Sequence, residues 1–146
     1  MISREKLFSS NEPKSVILVR LSVGCVFLLE GILKFINPEE LGVGRFEKIG
    51  FPFPGLISGF VGTTEIICGC LILIGLFTRL AAFPMIINMI VAILSTKLPM
   101  LLKTGFWHTA HEARLDFTML LLCIFILLNG AGSLSVDHKI LHGDKK

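Results

Sequence analysis

The sequence predicts an all-α transmembrane four-helix bundle, running up-down-up-down, with N- and C-termini cytoplasmic. Three observations carry that prediction. The first is composition: 53% of the 146 residues are hydrophobic and 17% charged, against about 25% charged in ordinary globular chains. Mean hydropathy is +0.78. A soluble domain of this size buries only about 60–70% of the surface its unfolded chain exposes, so the apolar surplus must face lipid. The second is segmentation into four apolar runs, each near the ~20 residues that a ~30 Å hydrocarbon core requires. Only helices and closed barrels satisfy their backbone in that medium. The third is the positive-inside asymmetry. Arg4, Lys6, Lys14, Arg79, Lys139, Lys145 and Lys146 fall on the side of the termini, and Arg45, Lys48 and Lys103 on the other.

The first span covers about residues 15–36. Its length, its internal Arg20 and Glu30, and the lack of an Ala-x-Ala site after it argue against a cleaved signal peptide. Residues 37–54 carry mixed charge and end in Phe51-Pro52-Phe53-Pro54. The second span, about 55–77, is joined to the third, about 80–98, only by Thr78 and Arg79, which predicts a tight antiparallel hairpin. Pro84 is expected to kink the first turns of the third span. Residues 99–112 form the next link and hold Trp107, the single tryptophan, where an interfacial aromatic belongs. The fourth span covers about 113–130. Polar tails, 1–14 and 131–146, complete a single domain over 1–146.

Charged groups inside a span cost roughly 2.5–3.5 kcal/mol each on insertion scales, so their placement needs a cause. At ~100° per residue, Gly24, Phe27, Gly31 and Lys34 lie within about 40° of Arg20, and Glu30 about 80° to one side. Glu30 and Lys34 also have the i,i+4 spacing of a favourable ion pair. On the second span Ser58, Gly62 and Gly69 lie within about 60° of Glu65, a small-residue groove beside one carboxylate. Ala81, Asn88, Ala92 and Ser95 share a face of the third span, and Glu112, Asp116, Met119 and Cys123 one of the fourth. Four such stripes converge only inside a bundle. Glu30, Lys34, Glu112 and Asp116 then fall in the outer half, Glu65 near the midplane, and Arg20 nearer the cytoplasm. Arg20, Glu30, Lys34, Glu65, Glu112 and Asp116 are therefore the candidates for a polar core or ligand site. Two readings stay open: a ligand or proton site, in which surplus acid keeps a carboxyl protonated, and ion pairs that only fasten helices. Inter-helix hydrogen bonds in membranes average about 0.6 kcal/mol, a weak return for so many charges.

Other signals exclude more than they assign. A net charge of +3 without a clustered basic face excludes nucleic-acid binding. Cys68 and Cys70 diverge by about 200° on a helix, and with Cys25 and Cys123 they read as buried small apolar residues. His108, His111 and Glu112 lack a third ligand at metal spacing, so no metal is expected.

The motifs, taken in order, resemble the DoxX family of small four-helix membrane proteins over about residues 20–137. The first span reads Arg20-Leu21-x-x-Gly24, then Glu30-Gly31-x-x-Lys34. The second reads Gly62-x-x-Glu65-x-x-x-Gly69, followed by Gly75-Leu76-x-Thr78-Arg79. Then come Gly105-Phe106-Trp107, Glu112 and Gly130-Ala131-Gly132-x-x-Ser135-x-Asp137. The resemblance implies a multi-pass inner-membrane protein associated with quinol, thiosulfate:quinone or thiol redox systems, with recurrent polar positions at Arg20, Lys34, Glu65, Arg79, Glu112 and Asp137. Glu30 stands where members often carry His, and the Cys-x-x-Cys of related membrane thiol oxidoreductases is missing. On this reading any activity is that of an oxidoreductase subunit acting with a partner chain. The chain carries no cofactor motif of its own, and a quinone or lipid head is the ligand expected near Glu65 and Lys34. Membrane lipids, a redox-enzyme partner and further copies of the chain are the expected partners. A non-catalytic scaffold or assembly factor, and a proton path, are the competing functions.

Overall fold

A computed structural model of the chain describes residues 14–142. Residues 1–13 and 143–146 of the expected tails, with the orienting charges Arg4, Lys6, Lys145 and Lys146, lie outside the described residues. The helices are α1 (Val16–Ile36), α2 (Val43–Ile49), α3 (Pro54–Ile74), α4 (Thr78–Ala92), α5 (Leu98–Thr104), α6 (Phe106–Asn129) and α7 (Val136–His142), with a π turn at Ile93–Lys97 between α4 and α5. Among the described residues there is no strand. Among the same residues, three stretches are long and apolar enough to cross a membrane: α1, α3 and the run Thr78–Thr104. The 24-residue α6 matches them in length but carries Glu112, Arg114 and Asp116 in its first half. Helix α1 packs along α3, α4 along α6, and the pairs meet where α3 touches α4 and α1 touches α6. Large apolar side chains such as Leu18, Leu29, Phe60, Phe83 and Leu128 stand exposed on the outside, the surface a lipid solvent selects.

Several boundaries move from their expected places. Helix α3 stops at Ile74 because Gly75 takes a left-handed backbone, φ 73°, and its N–H bonds back to Leu71 and Ile72. Only Gly75–Phe77 link α3 to α4, so Thr78 and Arg79 form the first turn of α4 rather than the hairpin itself. Asp137 starts that helix from a distance, accepting from Phe77 N at 2.8 Å, Thr78 N at 3.1 Å and Thr78 Oγ1 at 3.1 Å. The 99–112 link is helical apart from Gly105, since Pro99 sits in the first turn of α5, where its missing N–H costs nothing. The fourth long helix accordingly begins at Phe106, not 113. The expected connector holds α2, and the expected C-terminal tail holds α7.

The tightest contact, α1 on α3, is built on glycines. A Cβ at Gly69 would stand 2.8 Å from Leu28 N and 3.0 Å from Gly24 O, and one at Gly31 2.7 Å from Gly62 O. All three obstacles are backbone, so the helices would have to part. Gly69→Ala should destabilise the protein by about 1–3 kcal/mol. The matched Gly59→Ala, whose Cβ meets nothing within 4 Å, should be neutral or stabilising by up to ~1 kcal/mol. Thermal melts of the two in one detergent check this, and equal losses would refute it.

Candidate functional site

The two helix pairs seal at one end and part at the other. At the end carrying the 37–53 connector they enclose a cavity of about 300 Å³. Helix α1 brings Glu30 and Lys34 to its wall, α3 brings Glu65, α4 brings Asn88, and α6 brings Glu112 and Asp116. Five of the six residues singled out in the sequence therefore meet in one space. The i,i+4 rise of α1 stacks Glu30 and Lys34, and the glycine contact presses that face against α3.

Glu65 is the centre of the arrangement and is 2% exposed. Its Oε2 lies 2.6 Å from Lys34 Nζ, and its Oε1 accepts from Asn88 Nδ2 at 2.7 Å. Lys34 Nζ also lies 3.8 Å from Glu30 Oε2 and donates to the Glu30 carbonyl at 3.4 Å. The carboxylate thus joins α1 to α4 through α3. Across the cavity, Lys97 on the π turn pairs with Asp116 at 3.4 Å. Glu112 sits at the rim, 3.6 Å from the exposed His111. Four carboxylates face Lys34, Lys97 and Arg45 there. The remaining walls are apolar and include Phe27, Phe46, Phe51 and Met119. Such a space can clasp one polar head, with Asn88 and Lys34 as donors and Glu65 as acceptor, or pass a proton along the acid–base row.

Arg20 belongs elsewhere. It is 2% exposed and sits ten residues, about 15 Å of helix, from Glu30. Its guanidinium donates to the carbonyls of Ile72, Leu73, Ala131 and Leu134 at 2.6–2.9 Å. Arg79 donates to Leu128 O at 3.1 Å nearby. The recurrent polar positions of the sequence therefore divide: Lys34, Glu65 and Glu112 at the cavity, Arg20, Arg79 and Asp137 at the opposite end.

Asn88 and Lys97 complete the site beyond the six. Asn88 lay on the small-residue face of the third span, which was its only signal. Lys97 depends on the π turn, which a constant 100° period does not register, and such turns recur at functional sites. Arg45 and Phe46 lie in α2, too short for periodicity to reveal, and Phe51 follows just beyond its end. Cys68 and Cys123 are buried as expected, but Cys25 and Cys70 are exposed, because Cys70 diverges by about 200° from Cys68 and Cys25 by about 140° from Arg20 on their helices.

Comparison with known proteins adds to this geometry. The model of the DoxX family matches residues 15–98. An uncharacterized membrane protein of Mycobacterium tuberculosis is 48% identical over 141 residues, covering 92% of this chain and 86% of that protein. CatD of Bacillus subtilis, named provisionally as an oxidoreductase, is 30% identical over 129 residues, covering 88% and 89%. An uncharacterized Haemophilus influenzae protein is 28% identical over 137 residues, covering 87% and 91%. No solved structure matches the chain.

Proposed function

We propose, from the premise that this chain belongs to the DoxX family of membrane proteins, that it is a four-span inner-membrane subunit with cytoplasmic termini that holds the polar head of a quinone or lipid for a redox partner. The observation that carries this reading is Glu65, bonded at both oxygens and standing on the wall of a cavity rather than in a closed core. The residues present fit such a head. Ligand pockets span roughly 300–1,000 Å³, so about 300 Å³ admits a ring-sized group and leaves a long tail among the lipids. Phe27, Phe46 and Phe51 offer apolar walls to the ring, and Asn88 and Lys34 offer donors to a carbonyl or hydroxyl oxygen. The redox assignment draws on the family resemblance and on the name of one relative, CatD. Electron transfer would then belong to the bound group and the partner, while Lys34, Glu65 and Asn88 orient the head and handle its protons.

The competing reading, a scaffold fastened by ion pairs, draws on the short Lys34–Glu65 contact. Glu65→Gln separates the two. It preserves shape and the Asn88 contact while removing the charge. The ligand-site reading expects a folded protein with a melting temperature within a few degrees of native, loss of partner-dependent activity, and loss of the small molecule recovered with the native chain by extraction and mass spectrometry. A collapse in melting temperature with unchanged activity per folded molecule gives the site to the scaffold.

A further inference from the structure

The residues that line the cavity come from the connector and from the connector-side parts of the four long helices, none from the far end. Within the cavity the acid–base groups grade from accessible to buried: the Glu30 side chain is 39% exposed, Lys34 11% and Glu65 3%, with 3.8 Å and then 2.6 Å between them. The opposite wall repeats the gradient, from Glu112 at 46% to Asp116 at 21% and Lys97 at 11%. Arg45, Asn88, Ser95 and Thr96 complete the polar lining. Toward the other end the character changes at once. Phe27, Ile72, Met85, Cys123 and Ile126 are each at most 1% exposed and belong to one continuous apolar core, drawn from all four long helices. From Glu65 to Ile72 that plug is about 10 Å deep, at ~1.5 Å per residue. Beyond it, Arg20 and Asp137 are held by backbone partners.

We infer that the cavity is a one-sided vestibule, through which Glu65 trades protons with water on the connector face of the membrane and not with the opposite face. Inward, a hydronium ion gives a proton to Glu30 and leaves as water. Lys34 ammonium then passes one proton to Glu65 and takes one from Glu30. Outward, the same steps reverse. The apolar plug offers no group to continue the row, which turns the acid-rich end into a dead-ended port rather than a path across the membrane. Any reaction at Glu65 that consumes or releases protons would then draw on one compartment alone. This goes beyond the proposed ligand, because the geometry stands whether or not a head group binds.

Thiol labelling with a cationic, membrane-impermeant methanethiosulfonate tests sidedness in sealed vesicles of the full chain. The native protein is the blank, since Cys68 and Cys123 are buried and Cys25 and Cys70 lie exposed on helices read as spans. Lys48→Cys, on the exposed side of α2, marks the connector face. Ser95→Cys and, as a second cavity position, Ala92→Cys should each gain one modified thiol per chain from the face that labels Lys48→Cys, and none from the other. Ala82→Cys, in the plug, should label from neither. Labelling of the cavity cysteines from the opposite face, from both or from neither overturns the vestibule. Loss of a co-purifying molecule in Glu65→Gln, with sidedness unchanged, bears on the ligand alone.

Discussion

Lys34→Met should lower the melting temperature of the detergent-solubilised protein by about 10 °C, and adding Glu65→Gln should recover most of that loss. The expectation follows from where the carboxylate sits. Glu65 has a side chain only 3% exposed and draws its charge compensation from Lys34 at 2.6 Å, with Asn88 as its second donor. Removing one partner of a buried ion pair leaves the other charge stranded and costs about 3–5 kcal/mol, whereas removing both charges is often close to neutral. At roughly 2–4 °C per kcal/mol for a chain of about this size, that gives the stated shift. The reverse single change, Glu65→Gln, should cost less, because Lys34 keeps Glu30 at 3.8 Å and reaches the wetter rim. The ordering is the test: Lys34→Met worst, the double variant intermediate, Glu65→Gln mildest. If Lys34→Met melts no lower than Glu65→Gln, the Glu65 charge does not depend on Lys34 for its compensation. The cycle also bears on function, since a double variant that folds well and does nothing assigns the charges to chemistry rather than cohesion.

That cavity was legible in part from spacing alone. A helix repeats every 3.6 residues, so Glu30, Lys34, Glu65, Glu112 and Asp116 declared a common interior as soon as four spans were drawn. Arg20 shares their face and so joins them as a polar-core candidate, but the ~1.5 Å rise per residue already sets it nearer the opposite end, and that depth is what separates it from the cavity. Hydropathy located apolar stretches but not helix ends. It placed the fourth helix seven residues late, because His108, His111 and Glu112 lower the local hydropathy without weakening the helix. It read Thr78 and Arg79 as a turn because both are polar, although Asp137, 59 residues further on, caps the helix that Thr78 begins. A cap supplied by a distant side chain leaves no local signature. The π turn at Ile93–Lys97 was equally invisible, yet it sets the rotation that brings Lys97 across from Asp116.

Arg20→Lys should destabilise the protein by about 2–4 kcal/mol, even though it keeps the charge. The guanidinium of Arg20 reaches the carbonyls of Ile72 through Nε, Leu73 through Nη2, and Ala131 and Leu134 through Nη1. Two of those carbonyls, Ile72 and Leu73, belong to the last turn of α3, where backbone donors run out, Ile72 accepting only from Gly75 N at 3.2 Å, and the helix dipole is negative. The other two lie in the segment between α6 and α7. One side chain on α1 therefore ties the ends of two other helices, and Gly75 makes room for it: a Cβ there would stand 2.6 Å from Nη2, and its φ of 73° favours glycine. A lysine ammonium is a compact donor on a flexible stem and cannot span four acceptors set in a fork. At least one or two carbonyls would be left buried and unpaired, at about 1–3 kcal/mol each. Because the plug lies between this clamp and the cavity, the damage should be local. Amide exchange should rise in residues 130–142 and in the last turn of α3, while Glu65, Lys34 and Asn88 keep their contacts and any activity per folded molecule is retained. A native-like melt for Arg20→Lys would show that a single point charge suffices at this end. Loss of activity without loss of stability would instead return Arg20 to the working site, where its helical face first placed it.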